Sequence, residues 1–149
     1  MPVIVVGADT PSGEAVIDAL LPRDGEVRAF VTDADVGAHL KSRQVKVATG
    51  DVSDGSHIGG AAMRSFCAIA ATEAAHDERE RSFAGTPDAV VAAWAEGLRD
   101  AGVSRVIVLD DGSCDVAPLL AAADESAAVS IDDADWVAVV AGLEAAADL

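Results

Sequence analysis

The sequence predicts an α/β domain built around a parallel sheet. Short continuous apolar runs alternate along the chain with stretches whose apolar residues recur at helical spacing, the signature of βαβ units. A length of 149 residues suits one domain, 1–149, with a sizeable core. A glycine-bearing turn, Gly7 to Gly13, stands between the first apolar run and the first helical stretch.

Val3–Val6 is continuously apolar and bounded by Gly7, as a strand buried on both faces should be. From Gly13 to Leu21 the residues Val16, Ile17, Leu20 and Leu21 share one helical face, and Pro22–Gly25 turns the chain. Val27–Val31 reads as the second strand, Ala34–Lys41 as a short helix, Val45–Ala48 as the third strand and Ser56–Met63 as another short helix. Phe66–Ala71 is the fourth strand and Val106–Leu109 the fifth. Between these two, the polar stretch Glu73–Ser82 reads either as a solvated charged loop or as a mobile lid. A helix follows with Val91, Trp94, Leu98 and Ala101 in line and Gly102 closing it. Asp115–Ala127 has helical character, while Trp136–Val140 fits either a sixth strand or part of a last helix. The alternation implies right-handed crossovers and five or six strands between two helical layers.

Composition narrows the chemistry. Apolar residues make up 51% and aromatics only 3%, so Ala, Val, Leu and Ile must fill the core. That excludes disorder, a collagen-like fibre and a disulfide-built scaffold. There is no Tyr, so no tyrosine acid or base is available. Ten Lys and Arg against 26 Asp and Glu give a formal charge of −16, which argues against nucleic acid or anionic membrane as partner. No apolar run approaches the roughly 20 residues that cross a bilayer. With no basic leader at the start, a cytoplasmic protein is expected.

The segment Gly7-Ala-Asp-Thr-Pro-Ser-Gly13 carries the most information. Gly7 permits a tight turn, Gly13 permits close helix–strand packing, and the helix N-terminus offers amides to a pyrophosphate. Thr10 suits an N-cap and Pro11 a first helical turn. No Lys follows the glycine, which excludes a Walker loop. A phosphoacceptor receiver domain is disfavoured because the fifth strand ends in Asp110-Asp111 without the expected lysine.

Here the chain resembles the atypical short-chain dehydrogenase/reductases, particularly their NmrA-like branch. That branch reads Gly-Ala-Thr-Gly-x-x-Gly where this chain keeps Gly7 and Gly13 at the same spacing. Glu26–Asp33, Val45–Asp54 and Ala101–Leu109 are similar to its second, third and fifth strand regions. Asp135–Gly142 is similar to its Asp-Trp-Thr-Ile-Val-Arg-Pro-Gly, which argues for a sixth strand at Trp136–Val140. The resemblance implies a Rossmann-like fold with strand order 3-2-1-4-5-6. It also implies NAD or NADP as cofactor, held around Gly7, Asp9, Thr10, Pro11, Ser12, Gly13, Thr32, Asp33, Asp51, Val52, Ala70 and Ala71, with Asp51 beside the adenine.

The chain departs from the family at telling places. Thr10 replaces the middle glycine and Asp9 adds a negative charge. Thr32 stands where NADP-binding members often carry Arg, and the family's Tyr-x-x-x-Lys is absent. The chain ends where the family's substrate-binding portion largely begins. Asp33 lies 20 residues beyond Gly13, near the spacing of a ribose-binding acid, which favours NAD; it equally reads as the cap of the helix at Ala34. These features point to a dinucleotide-binding sensor or regulator without its own catalysis. The alternatives are a small oxidoreductase or epimerase whose pocket a second subunit completes as a homodimer, and a scaffold acting through protein contacts.

The remaining candidates read blandly. Cys67 opens the fourth strand and Cys114 follows the fifth, about 15 Å apart at roughly 3.3 Å per residue, beyond disulfide reach. His39, His57 and His76 show no ligand spacing, so no metal site is expected. Asp110 and Asp111 lie at the edge where such folds bind ligands, though a solvated acidic turn is the simpler reading.

Overall fold

Six parallel strands form one sheet in the order β3-β2-β1-β4-β5-β6 in the computed structural model, which describes residues 1–149. They are β1 (Val3–Val6), β2 (Val27–Val31), β3 (Lys46–Thr49), β4 (Cys67–Ala71), β5 (Arg105–Asp110) and β6 (Glu125–Ser130). The helices are α1 (Pro11–Leu20), α2 (Ala34–Ser42), α3 (Gly55–Ala62), α4 (Pro87–Ala101), α5 (Ala117–Leu120) and α6 (Trp136–Ala145). A 3-10 turn, Thr72–His76, leaves β4 directly. β1 is central, with Val3 opposite both Val27 and Cys67, so the Rossmann-like topology holds.

Each strand of the middle of the sheet feeds two cores, because successive side chains point to opposite faces. Ile4, Val6, Ala68, Ala70, Val106 and Val108 meet Ile58 of α3 and Val91, Trp94 and Leu98 of α4. Val3, Val5, Ile69, Ile107 and Leu109 meet Val16, Ile17 and Leu20 of α1, Leu40 of α2 and Val140 of α6. Two helical layers thus enclose the sheet. Gly13 is essential to this closeness: a Cβ there would lie 2.1 Å from the Gly7 carbonyl oxygen. Gly7 itself has φ +82, which a glycine adopts freely.

The C-terminal third corrects the expectations. Asp115–Ala127 is not one helix: α5 covers only Ala117–Leu120, and Glu125–Ser130 pairs with β5 from Arg105↔Glu125 to Asp110↔Ser130. Trp136–Val140 is not a sixth strand either; it begins α6, which packs against α1 and beneath β6. Both corrections have one cause. Glu-Ser-Ala-Ala-Val-Ser has weak strand propensity, but β5 offers it a complete ladder, and long-range pairing overrides local preference. With the sixth place filled, the apolar Trp136–Ala145 stretch can only fold back as a helix over the second core.

Arg105 ties this region together. Its side chain is fully buried, and its guanidinium donates to the Leu143, Glu144 and Ala146 carbonyls and to Glu125 Oε1. The carbonyls at the end of α6 thereby gain the donor they lack within the helix. Arg105→Leu would leave them buried without partners and should lower stability by about 3 kcal/mol. Urea denaturation checks this; a loss of under about 1 kcal/mol would mean that α6 is held by packing alone.

Candidate functional site

In open parallel sheets a ligand crevice forms at the carboxyl edge, where crossovers leave in opposite directions. Here that point lies between β1 and β4. Three turns converge on it: Gly7–Gly13, Thr32–Asp33 after β2, and Gly50–Asp54 after β3. The chain following β4, residues 72–86, lies over them.

The glycine turn is self-capped. Thr10 Oγ1 donates to the Gly7 carbonyl at 2.7 Å and accepts the Gly13 N–H at 3.1 Å. Pro11 has no N–H to offer. The Ser12 N–H therefore remains as the donor at this end of α1, and it is directed at Glu73 Oε1, 2.9 Å away. Ser12 Oγ is buried and without a partner. Asp9 does not face solvent: its side chain is 2% exposed, and Oδ2 accepts from the Thr32 and Asp33 amides at 2.9 and 3.0 Å. Ala70 and Ala71 are fully buried beneath the turn, with Ala71 close to Gly7.

At the other end of the groove, Asp51 is buried and accepts on Oδ1 from the Ser53 N–H and hydroxyl. Its Oδ2 accepts the Ser82 N–H at 2.7 Å. The neighbouring Val52 N–H donates to the Glu80 carbonyl at 3.0 Å, while the Val52 carbonyl is held by Trp94 Nε1. The Phe83 N–H adds a bond to Ser53 Oγ. Between the two ends, Arg79 pairs with Asp9, Asp33 and Asp77. Residues 79–83 thus form a strap across the groove, and none of the four surface clefts includes the glycine turn or Asp51. A cleft between α3 and α4, about 340 Å³, lies elsewhere.

Asp33 caps α2 as its second reading expects, with Oδ1 accepting from the Asp35 and Val36 amides. The polar stretch resolves into a 3-10 turn followed by a charged segment whose residues 78–80, 82 and 83 are exposed to solvent while its backbone is bonded to Asp51, Val52 and Ser53. Burial alone would raise the Asp51 carboxyl, but the Ser53 and Ser82 donors outweigh it and hold it below the usual carboxylate range. The Arg79 guanidinium likewise lowers Asp77.

The sequence did not anticipate a second cluster. His76, Asp111 and Cys114 come together beside the groove, their ligand atoms within 4.8 Å of one another. Asp111 is partly buried at the start of an exposed bend, and Thr72 Oγ1 donates to its carboxylate at 2.8 Å. The available signal was topological, since β4 and β5 are paired as far as Ala71↔Leu109 and their following segments must meet. Cys67 is buried, and burial pushes its thiol up to about 12, so it is inert near neutral pH.

No family model matches the chain, and no curated protein matches it in sequence. Solved structures do. ChuY, an anaerobillin reductase from Escherichia coli O157:H7, is 23% identical with TM-score 0.58, over 77% of this chain and 53% of its own. Triphenylmethane reductase from Citrobacter sp., complexed with NADP(H), is 19% identical with TM-score 0.60, over 73% of this chain and 37% of its own. A putative epimerase from Bacteroides thetaiotaomicron is 22% identical with TM-score 0.57, over 72% of this chain and 46% of its own. The likeness establishes the fold. This chain corresponds to about half or less of the length of those Rossmann-like proteins.

Asp51→Asn would set an amide NH2 or a weaker acceptor against the Ser82 N–H. The strap should loosen by about 2 kcal/mol, read as faster tryptic cleavage after Arg79 and Arg81. The carboxyl groups of Asp51 and Asp77 are lower when folded than unfolded, so their stabilisation is present above the ordinary carboxylate range and is lost as pH falls through the folded values. Urea midpoints should therefore drop below about pH 4, and drop less in Asp51→Asn.

Proposed function

We propose that the chain is a Rossmann-type binding module for a nicotinamide dinucleotide, without catalysis of its own, whose groove is shut by the Glu73 side chain and by residues 79–83 until the ligand displaces them. The observation that carries this reading is the pair at Asp51 and Val52. A carboxylate acceptor and an adjacent N–H donor are what an adenine edge requires, and the strap satisfies both with Ser82 N–H and the Glu80 carbonyl. At the pyrophosphate end, Ser12 supplies an N–H covered by Glu73 and a buried hydroxyl still without a partner. The groups fit a dinucleotide; the closed arrangement does not, because the Glu73 carboxylate occupies the Ser12 N–H that a phosphate would take. Bound there, the cofactor would supply hydride chemistry, but the chain has no Tyr to move a proton to a substrate.

NAD is the preferred form in this reading, because the Asp33 carboxylate beside Thr32 can accept from ribose hydroxyls, and the arginine at this spot, Arg79, is already engaged by Asp9, Asp33 and Asp77. A second reading, a scaffold that binds no dinucleotide, is favoured by the Glu73 carboxylate on Ser12. A third, an enzyme completed by a second copy of the chain, would require self-association and is separated by light scattering.

Calorimetric titration with NAD, NADH, NADP and NADPH distinguishes them. The wild-type chain should bind NAD weakly, with a Kd in the roughly millimolar range, because the ligand competes with closure. The double variant Glu73→Ala, Ser82→Pro removes the carboxylate and one strap donor and should tighten NAD by about tenfold or more, and NADP less. No binding to either protein would leave the scaffold.

A further inference from the structure

The His76, Asp111 and Cys114 cluster takes no part in the groove. It joins the segments that follow β4 and β5, two strands paired as far as Ala71↔Leu109. The three side chains differ in chemistry: an imidazole, a carboxylate and a thiol. Cys114 Sγ lies 3.9 Å from His76 Nε2, and all three ligand atoms lie within 4.8 Å. A tetrahedral zinc ion with bonds of about 2.0–2.3 Å spaces its ligands by about 3.5 Å, so the cluster needs only a small contraction. Ser113 Oγ now stands among them, 2.6 Å from His76 Nε2 and 3.5 Å from Cys114 Sγ. This residue is exposed, so its hydroxyl can swing away.

We propose that His76, Asp111 and Cys114 form a binding site for a zinc-like divalent cation, with a fourth position open to water or an external ligand. The donor set of nitrogen, oxygen and sulfur suits a borderline-soft ion rather than magnesium or calcium, which take oxygen ligands. Asp111 is aimed by Thr72, which is fully buried, donates to its carboxylate and accepts its N–H at 3.0 Å. That is the outer-shell support a metal-bound carboxylate requires. Asp88 and Asp110 lie nearby and the chain carries a charge of −16, so the field favours a cation. A catalytic thiolate is the less suitable use of the same Cys–His pair, because thiolates are stabilised by positive surroundings.

The site stands independently of the dinucleotide reading, and its test uses metal alone. The metal-free chain is titrated with Zn2+ by calorimetry and with Co2+ by absorption. One equivalent should bind, and Co2+ should give a sulfur-to-cobalt charge-transfer band together with the visible bands of a four-coordinate ion. Cys114→Ser should abolish the charge-transfer band, and His76→Ala should remove stoichiometric binding. Thr72→Val, which keeps the shape and removes the hydroxyl, should weaken Zn2+ by about tenfold. His39→Ala, remote from the cluster, should leave the titration unchanged. Several weak equivalents that survive Cys114→Ser would show an acidic surface only and overturn the proposal, as would the absence of binding.

Discussion

The buried carboxylate of Asp51 organises the carboxyl edge of this sheet. An ionised group removed from water must be supplied with donors, and an unmade bond there costs more than a made one returns. Two donors come from Ser53 next door in sequence, and the third comes from Ser82 across the groove. Satisfying Asp51 therefore fixes where the chain after β4 must run. Val52 completes the constraint from the other side, its carbonyl locked by Trp94 and its N–H left for Glu80.

The same logic explains how a strongly acidic chain tolerates carboxylates at its ligand edge. Asp9, Asp33 and Asp77 converge, and Arg79 sits among them with about half of its side chain exposed. Pairs made through a half-exposed arginine are weakened by solvent, so the strap is held by several small contributions rather than one lock. Such a closure can be displaced by a ligand that offers equivalent donors and acceptors. The metal cluster beside it is built differently, from side chains aimed by a buried threonine and without a neutralising arginine.

Much of this was legible in the sequence because it is local. β1 to β5, α1 and the glycine turn each carry their periodicity or cap within a few residues, and Gly13 announces the close approach of α1 to β1. Asp33 was readable as a cap for the same reason. Glu125–Ser130 was not legible as a strand, since its stabilisation comes from β5, some 20 residues earlier by the Arg105↔Glu125 pairing. Trp136–Val140 was ambiguous because α6 is apolar on more than one face and resembles a strand over five residues. The strap and the His76–Asp111–Cys114 cluster depend on which loops the topology places together. Spacing along the chain carries no trace of that.

Hydrogen exchange of individual backbone amides in the free protein tests the closed groove most directly. The account predicts that the Ser12, Val52 and Ser82 N–H groups are protected although they lie in turns or an irregular segment, and that adding NAD leaves Val52 protected while exposing Ser82. Exchange of Ser82 and Val52 at unprotected loop rates in the free chain would contradict it, because the groove would then stand open without a ligand.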